Sequence, residues 1–128
     1  MMDDALWQTY CDPYFRFESQ LHSENFAIIT AWNPASVWLS NIDNTRNNQH
    51  LEKDISHTCY SHVLVGDKTF TWAEASFATA MSLEEALELG KKYQQNAIYY
   101  VQGEALFLIS CLRHQRSILH GKWQERCR

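Results

Sequence analysis

The spacing of hydrophobic and polar positions changes several times along the chain, and each change predicts an element. Residues 25–32 read NFAIITAW, apolar on both faces and closed by Asn33-Pro34. That pattern predicts a central strand. Residues 14–18 alternate, with Phe15 and Phe17 on one face, and predict a second strand. Residues 59–65 and 70–79 predict a hairpin around Gly66-Asp67-Lys68. In its second arm Trp72, Glu74 and Ser76 share one face, while Ala73, Ala75 and Phe77 share the other. Residues 97–101 and 105–112 predict a last hairpin around Gln102-Gly103.

Two segments carry helical spacing. The first starts at Ser40, with Asp43 approximating a capping box, and runs to about Ile55. Its buried stripe is set by Leu51 and Ile55, and Asn44 and Asn48 fall on that same stripe. The core-facing side therefore begins polar, and buried amides need partners, so a polar group must sit opposite Asn44. The second helix opens at Ser82 with Glu85 three residues on. Leu83, Ala86, Leu87, Gly90 and Tyr93 form its apolar stripe. A glycine inside a helix costs about 1 kcal/mol relative to alanine, so Gly90 predicts close packing against a neighbour. Asn96 is a candidate left-handed cap for the end of this helix. Residues 3–12 predict a short helix that Pro13 ends, and residues 117–123 predict a helical tail.

This order predicts an α+β fold: a two-layer sandwich with two main helices on one face of a mostly antiparallel sheet. The inner β-α-β-β-α-β run has the ferredoxin-like order, with added N-terminal and C-terminal elements. The expected division is a single domain over residues 1–112 and a basic C-terminal tail over residues 113–128.

Composition sets the class. The 128 residues are 45% hydrophobic and 20% charged, ordinary for one globular domain. No run approaches the ~20 apolar residues of a membrane helix. The acidic start Met1-Met2-Asp3-Asp4 argues against a secretory signal. Cys11, Cys59, Cys111 and Cys127 form no C-x-x-C pair, which predicts free thiols and a cytoplasmic location. The net charge of −4 is uneven, because residues 113–128 hold five Lys/Arg against Glu125 alone. Such a tail is solvated, packs on the acidic body of its own chain, or joins a second copy as a homodimer. Nucleic acid is disfavoured by the acidic body and by the lack of a basic, aromatic face.

Standard catalytic patterns are missing: no G-x-G-x-x-G, phosphate loop, G-x-S-x-G or H-E-x-x-H occurs. His57 and Cys59 point one way along an extended strand and His62 the other, so no metal site is expected. No cofactor is expected either. What remains is a polar set at element ends: Thr30 and Asn33, Asn44 and Arg46, Trp72 and Glu74, Gln95 and Asn96. A strand end beside a helix start is a usual place for ligands. Arg46 can take a carboxylate or phosphate bidentately, and a desolvated Glu74 can act as a general base. Each residue also has a structural reading: a turn for Asn33, an internal pair for Asn44, a surface charge for Arg46.

These residues resemble an uncharacterised bacterial family, domain of unknown function 3293. Its pattern places T-A-x-N-P at a strand end, then E-N-x-x-R, W-x-E-x-S, L-G and Q-N-A. Here they read Thr30-Ala31-Trp32-Asn33-Pro34, Asp43-Asn44, Trp72-Ala73-Glu74-Ala75-Ser76, Leu89-Gly90 and Gln95-Asn96-Ala97. Asp43 replaces the usual Glu, and Arg46 stands one place early. The resemblance covers about residues 26–101 and brings no established activity. Three functions are open: a small-ligand-binding or regulatory domain, an enzyme using Glu74 as base, and an interaction module acting through the basic tail.

Overall fold

The computed structural model of the chain describes residues 10–111 and 117–128. The start of the expected helix at residues 3–12, and Arg113 and Arg116 of the basic tail, lie outside the described residues. The elements run β1 (Tyr14–Phe17), β2 (Asn25–Ile29), α1 (Asn41–Asp54), β3 (Tyr60–Gly66), β4 (Ala73–Thr79), α2 (Leu83–Lys92), β5 (Ala97–Gln102), β6 (Ala105–Ser110) and β7 (Ser117–Lys122). The strands make one sheet in the order β1-β3-β4-β2-β5-β6-β7, and each neighbouring pair is antiparallel. The protein is therefore α+β.

The alternation of β2 divides the interior into two cores. Ala27 and Ile29 pack with Leu51 and Ile55 at the end of α1, Ala86 of α2, and Phe77 and Ile98 of the sheet. Phe26 and Ile28 point the other way, toward Phe15, Val63, Tyr99, Val101 and Leu108. The helices thus cover one face. Two-sided burial leaves the other face in need of a cover as well, and the sheet supplies it by curling. The segment after β7 returns to β1, where Phe15 makes a parallel bridge to Cys127 and the Arg128 N–H donates to the Phe15 carbonyl at 2.8 Å. Phe26 and Phe17 pack edge-on at 6.3 Å, and Trp123 sits 5.3 Å and 5.6 Å from their rings.

Both helices start where serine caps them. Ser40 Oγ accepts from the Asp43 N–H at 3.1 Å, and Ser82 Oγ accepts from the Glu85 N–H at 3.2 Å. The end of α2 differs from expectation. The left-handed residue is Gln94 (φ 56°), not Asn96. The Gln95 N–H reaches the Gly90 carbonyl at 2.8 Å and the Gln94 N–H reaches Lys91 at 3.1 Å, a Schellman-type closure. The chain must turn at once to enter β5 at Ala97, and that forces an ordinary residue into the left-handed region. Two strand readings change as well. Phe70 (φ 56°) belongs to a turn rather than to β4, because the Asp67 carboxylate captures the Thr71 N–H at 2.9 Å. Residues 117–122 are a strand, not a helix: β7 pairs with the exposed edge of β6, placing Ile118 opposite Leu108, Gly121 (φ 77°) is incompatible with a helix, and only a short 3-10 turn follows at Trp123–Arg126. Unpaired edge amides outweigh the weak local helical preference.

Gly90 has the tight neighbour that its position implied. A Cβ there would lie 2.5 Å from Cys111 Sγ and 3.1 Å from Ile98 Cγ2. Gly90→Ala is therefore expected to lower stability by about 1–3 kcal/mol through overpacking, despite the gain in helix propensity. Urea denaturation of the single variant and of Gly90→Ala/Cys111→Ala checks this. The double variant should recover part of the loss.

Candidate functional site

The site begins where β2 and β4 part. Their ladder pairs Ala27 with Thr79, Ile28 with Ala78 and Ile29 with Phe77, then stops. Continued at the same register, Ala31 would face Ala75 and Asn33 would face Ala73. Asparagines of α1 occupy the gap instead. The Ala31 N–H donates to Asn48 Oδ1 at 2.8 Å, and Asn48 Nδ2 donates to the Ala75 carbonyl at 2.9 Å. One side-chain amide thus replaces a peptide pair. One turn earlier, Asn44 Oδ1 accepts the Asn33 N–H at 2.8 Å. The spacing matches: four helical residues rise about 6 Å, and two strand residues span about 6.6 Å. This is why polar residues stand on the buried stripe of α1, where Asn44 and Asn48 are both buried.

Asn33 is the pivot of the exit. Its backbone is left-handed (φ 45°, ψ 61°), a conformation asparagine tolerates better than most residues. Its Oδ1 accepts from Asn44 Nδ2 at 3.0 Å and from the Leu39 N–H at 2.9 Å. Its Nδ2 donates to Glu74 Oε2 at 3.3 Å. Ala35 and Ser36 also have positive φ, at 56° and 61°, in a region that costs about 1–2 kcal/mol per ordinary residue. The loop is held in that shape from outside. The Ala35 N–H donates to the Gln94 carbonyl at 2.7 Å, Gln95 Nε2 to the Trp32 carbonyl at 3.1 Å, and Asn96 Nδ2 to Ser36 Oγ at 2.7 Å.

Between this loop and the turn at residues 67–72 lies a cleft of about 410 Å³. Tyr10, Trp32, Trp38 and Trp72 supply its aromatic walls, and Asn33, Ser36, Asp67, Glu74 and Gln95 its polar groups. A narrower recess of about 30 Å³, bordered by Thr30, Ser76 and Tyr99, shares Glu74, Trp72 and Gln95 with it. That recess has room for about one water. Burial pushes the Glu74 carboxyl up to about 7, and the amide of Asn33 acts in the opposite sense. Asp67 behaves oppositely: the Thr71 hydroxyl and the backbone N–H groups of its turn hold it below the usual carboxylate range. A wider hollow of about 700 Å³ at the other end of β2 includes Glu24, Met81 and Tyr100. The Tyr100 hydroxyl is already committed to the Met81 carbonyl there, at 2.8 Å.

A family model described as "Protein of unknown function (DUF3293)" matches residues 29–98, more than half of the chain. The chain belongs to the DUF3293 family. No curated protein and no solved structure matches it. The matched span of this DUF3293 protein runs from the last residue of β2 into β5, and so contains the ladder break, the Asn33 loop and Glu74.

Of the residues nominated from sequence, Thr30, Asn33, Trp72, Glu74 and Gln95 line the cleft or its recess. Asn44 stands behind Asn33 and fixes it, and Asn96 anchors Ser36. Arg46 is apart, with its side chain two-thirds exposed and 3.9 Å from Asp43. Five cleft residues went unselected: Tyr10, Trp32, Ser36, Trp38 and Asp67. Trp32 sits inside T-A-x-N-P and could have been found there. The others come from loops whose arrival depends on tertiary contacts. No group of three or more His, Cys, Asp or Glu able to hold a metal occurs among the described residues.

Two variants probe this geometry. Asn48→Leu strands the Ala31 N–H, leaves the Ala75 carbonyl with the Thr30 hydroxyl alone, and should cost about 1–3 kcal/mol in urea denaturation. Asn41→Ala, at an exposed position of the same helix, should stay within about 0.5 kcal/mol. Glu74 links stability to pH. Its folded pKa, about 7, lies above its ordinary value of 4.5, so the folded state holds the proton more tightly. Its contribution is fully present below about pH 4 and is lost as pH rises through 7. Glu74→Gln should match the parent near pH 4 and exceed its stability at pH 8 by up to about 3 kcal/mol. Denaturation midpoints at the two pH values check the sign.

Proposed function

We propose that this protein binds a small molecule in the cleft above Glu74. One observation carries the reading: a carboxyl with a near-neutral pKa lies in an aromatic-walled cleft whose polar groups are already oriented. A volume of about 410 Å³ suits a small ligand, and perturbed carboxyls gather at functional sites. The strained loop at Asn33, Ala35 and Ser36 supports the same reading, since such strain collects where it shapes a site. It also costs stability, as does a desolvated carboxylate, and binding sites commonly carry such costs.

A second reading is favoured by the pKa itself. A group that exchanges its proton near pH 7 is matched to general acid–base work, so Glu74 is the residue we assign if the protein turns its ligand over. The basic C-terminal residues support a structural role instead of a docking one. Arg126 Nη1 bonds Asp12 Oδ1 at 2.8 Å and the Pro13 carbonyl at 3.0 Å, and Arg128 lies over the Tyr14 ring at 4.4 Å. We also read β2-α1-β3-β4-α2-β5 as a ferredoxin-like unit, supported by the spatial order β3-β4-β2-β5 and by antiparallel pairing throughout. The absence of a disulfide at Cys11, Cys59, Cys111 and Cys127 supports a reducing, cytoplasmic setting. No helix among the described residues is long and apolar enough to cross a membrane.

A thermal-shift screen against a metabolite collection tests the binding reading. A ligand at a hundred times its Kd should add about 2.7 kcal/mol to apparent stability. That shift should disappear in Trp72→Leu and weaken in Glu74→Gln. A ligand whose binding survives both substitutions would place the site elsewhere and end this reading. An activity found later should be lost in Glu74→Gln, with a pH profile that turns near 7.

A further inference from the structure

The charge of the cleft lining narrows the chemistry of its occupant. Two acidic residues, Asp67 and Glu74, line the space. Among the described residues no Lys or Arg lines it. Residues 1–9, which precede Tyr10 of the wall, contain no Lys or Arg either. The cations nearest in sequence are placed elsewhere. Arg46 sits beside Asp43, Arg16 lies over the face of Phe70 at 4.0 Å, and Lys68 is exposed outside the lining. Among the described residues an anionic ligand would meet two acids with no counter-charge in the lining, so phosphate and carboxylate compounds are disfavoured.

The remaining walls favour the opposite sign. Three indoles and a phenol line the same space. Aromatic faces attract cations, most strongly when water is excluded, and indole is the best of them. The amide groups of the floor are already satisfied: Asn33 by Asn44, Leu39 and Glu74, and the Gln95 amino group by the Trp32 and Tyr93 carbonyls. They offer little to a ligand that needs many hydrogen bonds. An alkylammonium group needs few.

We propose that the cleft takes a small organic cation, a protonated or quaternary amine, enclosed by Trp32, Trp38 and Trp72 and neutralised by Asp67 and Glu74. This rests on the reading of the cleft as a ligand site and names its ligand class. Trp38 is 78% exposed at the rim, so it can be altered without disturbing the core.

Three probes of one shape and different charge test the assignment on the full chain: choline, its neutral carbon analogue 3,3-dimethyl-1-butanol, and the anion 3,3-dimethylbutyrate. Indole N–H signals in nitrogen-15 spectra report on each tryptophan, and substitutions assign them. Choline should shift the Trp32 and Trp72 signals saturably. The neutral analogue should bind roughly tenfold more weakly and the anion should not bind. Glu74→Gln should weaken choline by about tenfold, and Trp38→Ala by several-fold with the other indole signals in place. If the neutral or anionic probe moves the Trp72 signal at lower concentration than choline, the cation assignment falls while the cleft remains a ligand site. If choline binds equally well to Glu74→Gln and Trp38→Ala, it binds elsewhere and the assignment also falls. If no probe of any charge moves the Trp72 signal up to tens of millimolar, both readings fall.

Discussion

The site depends on a substitution of side-chain amides for backbone ones. Where β2 and β4 separate, the Ala31 N–H would be left buried without a partner, at about 1–3 kcal/mol, and the Ala75 carbonyl would keep only the Thr30 hydroxyl. Asn48 satisfies both, and Asn44 satisfies the next amide at Asn33. The break in the sheet is thereby made tolerable. It matters because only a parted ladder leaves room for a cleft between two adjacent strands. Thr30 completes the arrangement by donating to the same Ala75 carbonyl at 2.7 Å. Helix α1 therefore has two roles along one stripe. Its first turns hold the strands apart with amides, and its end packs apolar Leu51 and Ile55 against the sheet.

The two cores set what can move and what cannot. The helical face is closed by Ala86, Gly90 and Ile98, with no room for a methyl group at Gly90. The opposite face is closed by the curl that brings Phe15 to Cys127. Basic residues at the C-terminus hold that seam against Asp12, Pro13 and Tyr14. Between these rigid parts, Glu74 leaves β4 toward the second core and ends in partial burial beside Asn33. Its raised pKa follows from that position: burial penalises the carboxylate, and a single long hydrogen bond from a neutral amide offsets only part of the penalty. Asp67, held by its own turn, keeps its charge. The cleft thus holds one fixed acid and one that exchanges its proton near neutrality.

Several features follow from local sequence. Strands β2 to β6 and both helices are visible in the alternation and stripes, because burial on one or two faces imposes its period on the residues. Caps at Ser40 and Ser82 are visible because orphan N–H groups demand a nearby oxygen. The polarity of Asn44 and Asn48 on a buried stripe announces a partner, and Gly90 announces a close neighbour. Other features are not local. The edge of β6 recruited β7 against its weak helical tendency, since pairing is a property of two strands. The left-handed residue after α2 fell on Gln94 because β5 had to begin at Ala97.

For the site, the sequence alone determined the polar residues at the exit of β2, on the first turn of α1, at the start of β4 and after α2: Thr30, Asn33, Asn44, Trp72, Glu74 and Gln95. Their types and spacing depend on strand and helix periods, which act within a few residues. Tertiary structure decided which of them meet and what encloses them. It set Asn44 behind Asn33, turned Arg46 to solvent, and brought Tyr10, Trp38 and Asp67 from separate loops to wall the cleft. Those outcomes depend on how far β2 and β4 diverge and on where three loops come to rest. Distances of that kind span 30 to 60 residues of chain, and no local periodicity encodes them.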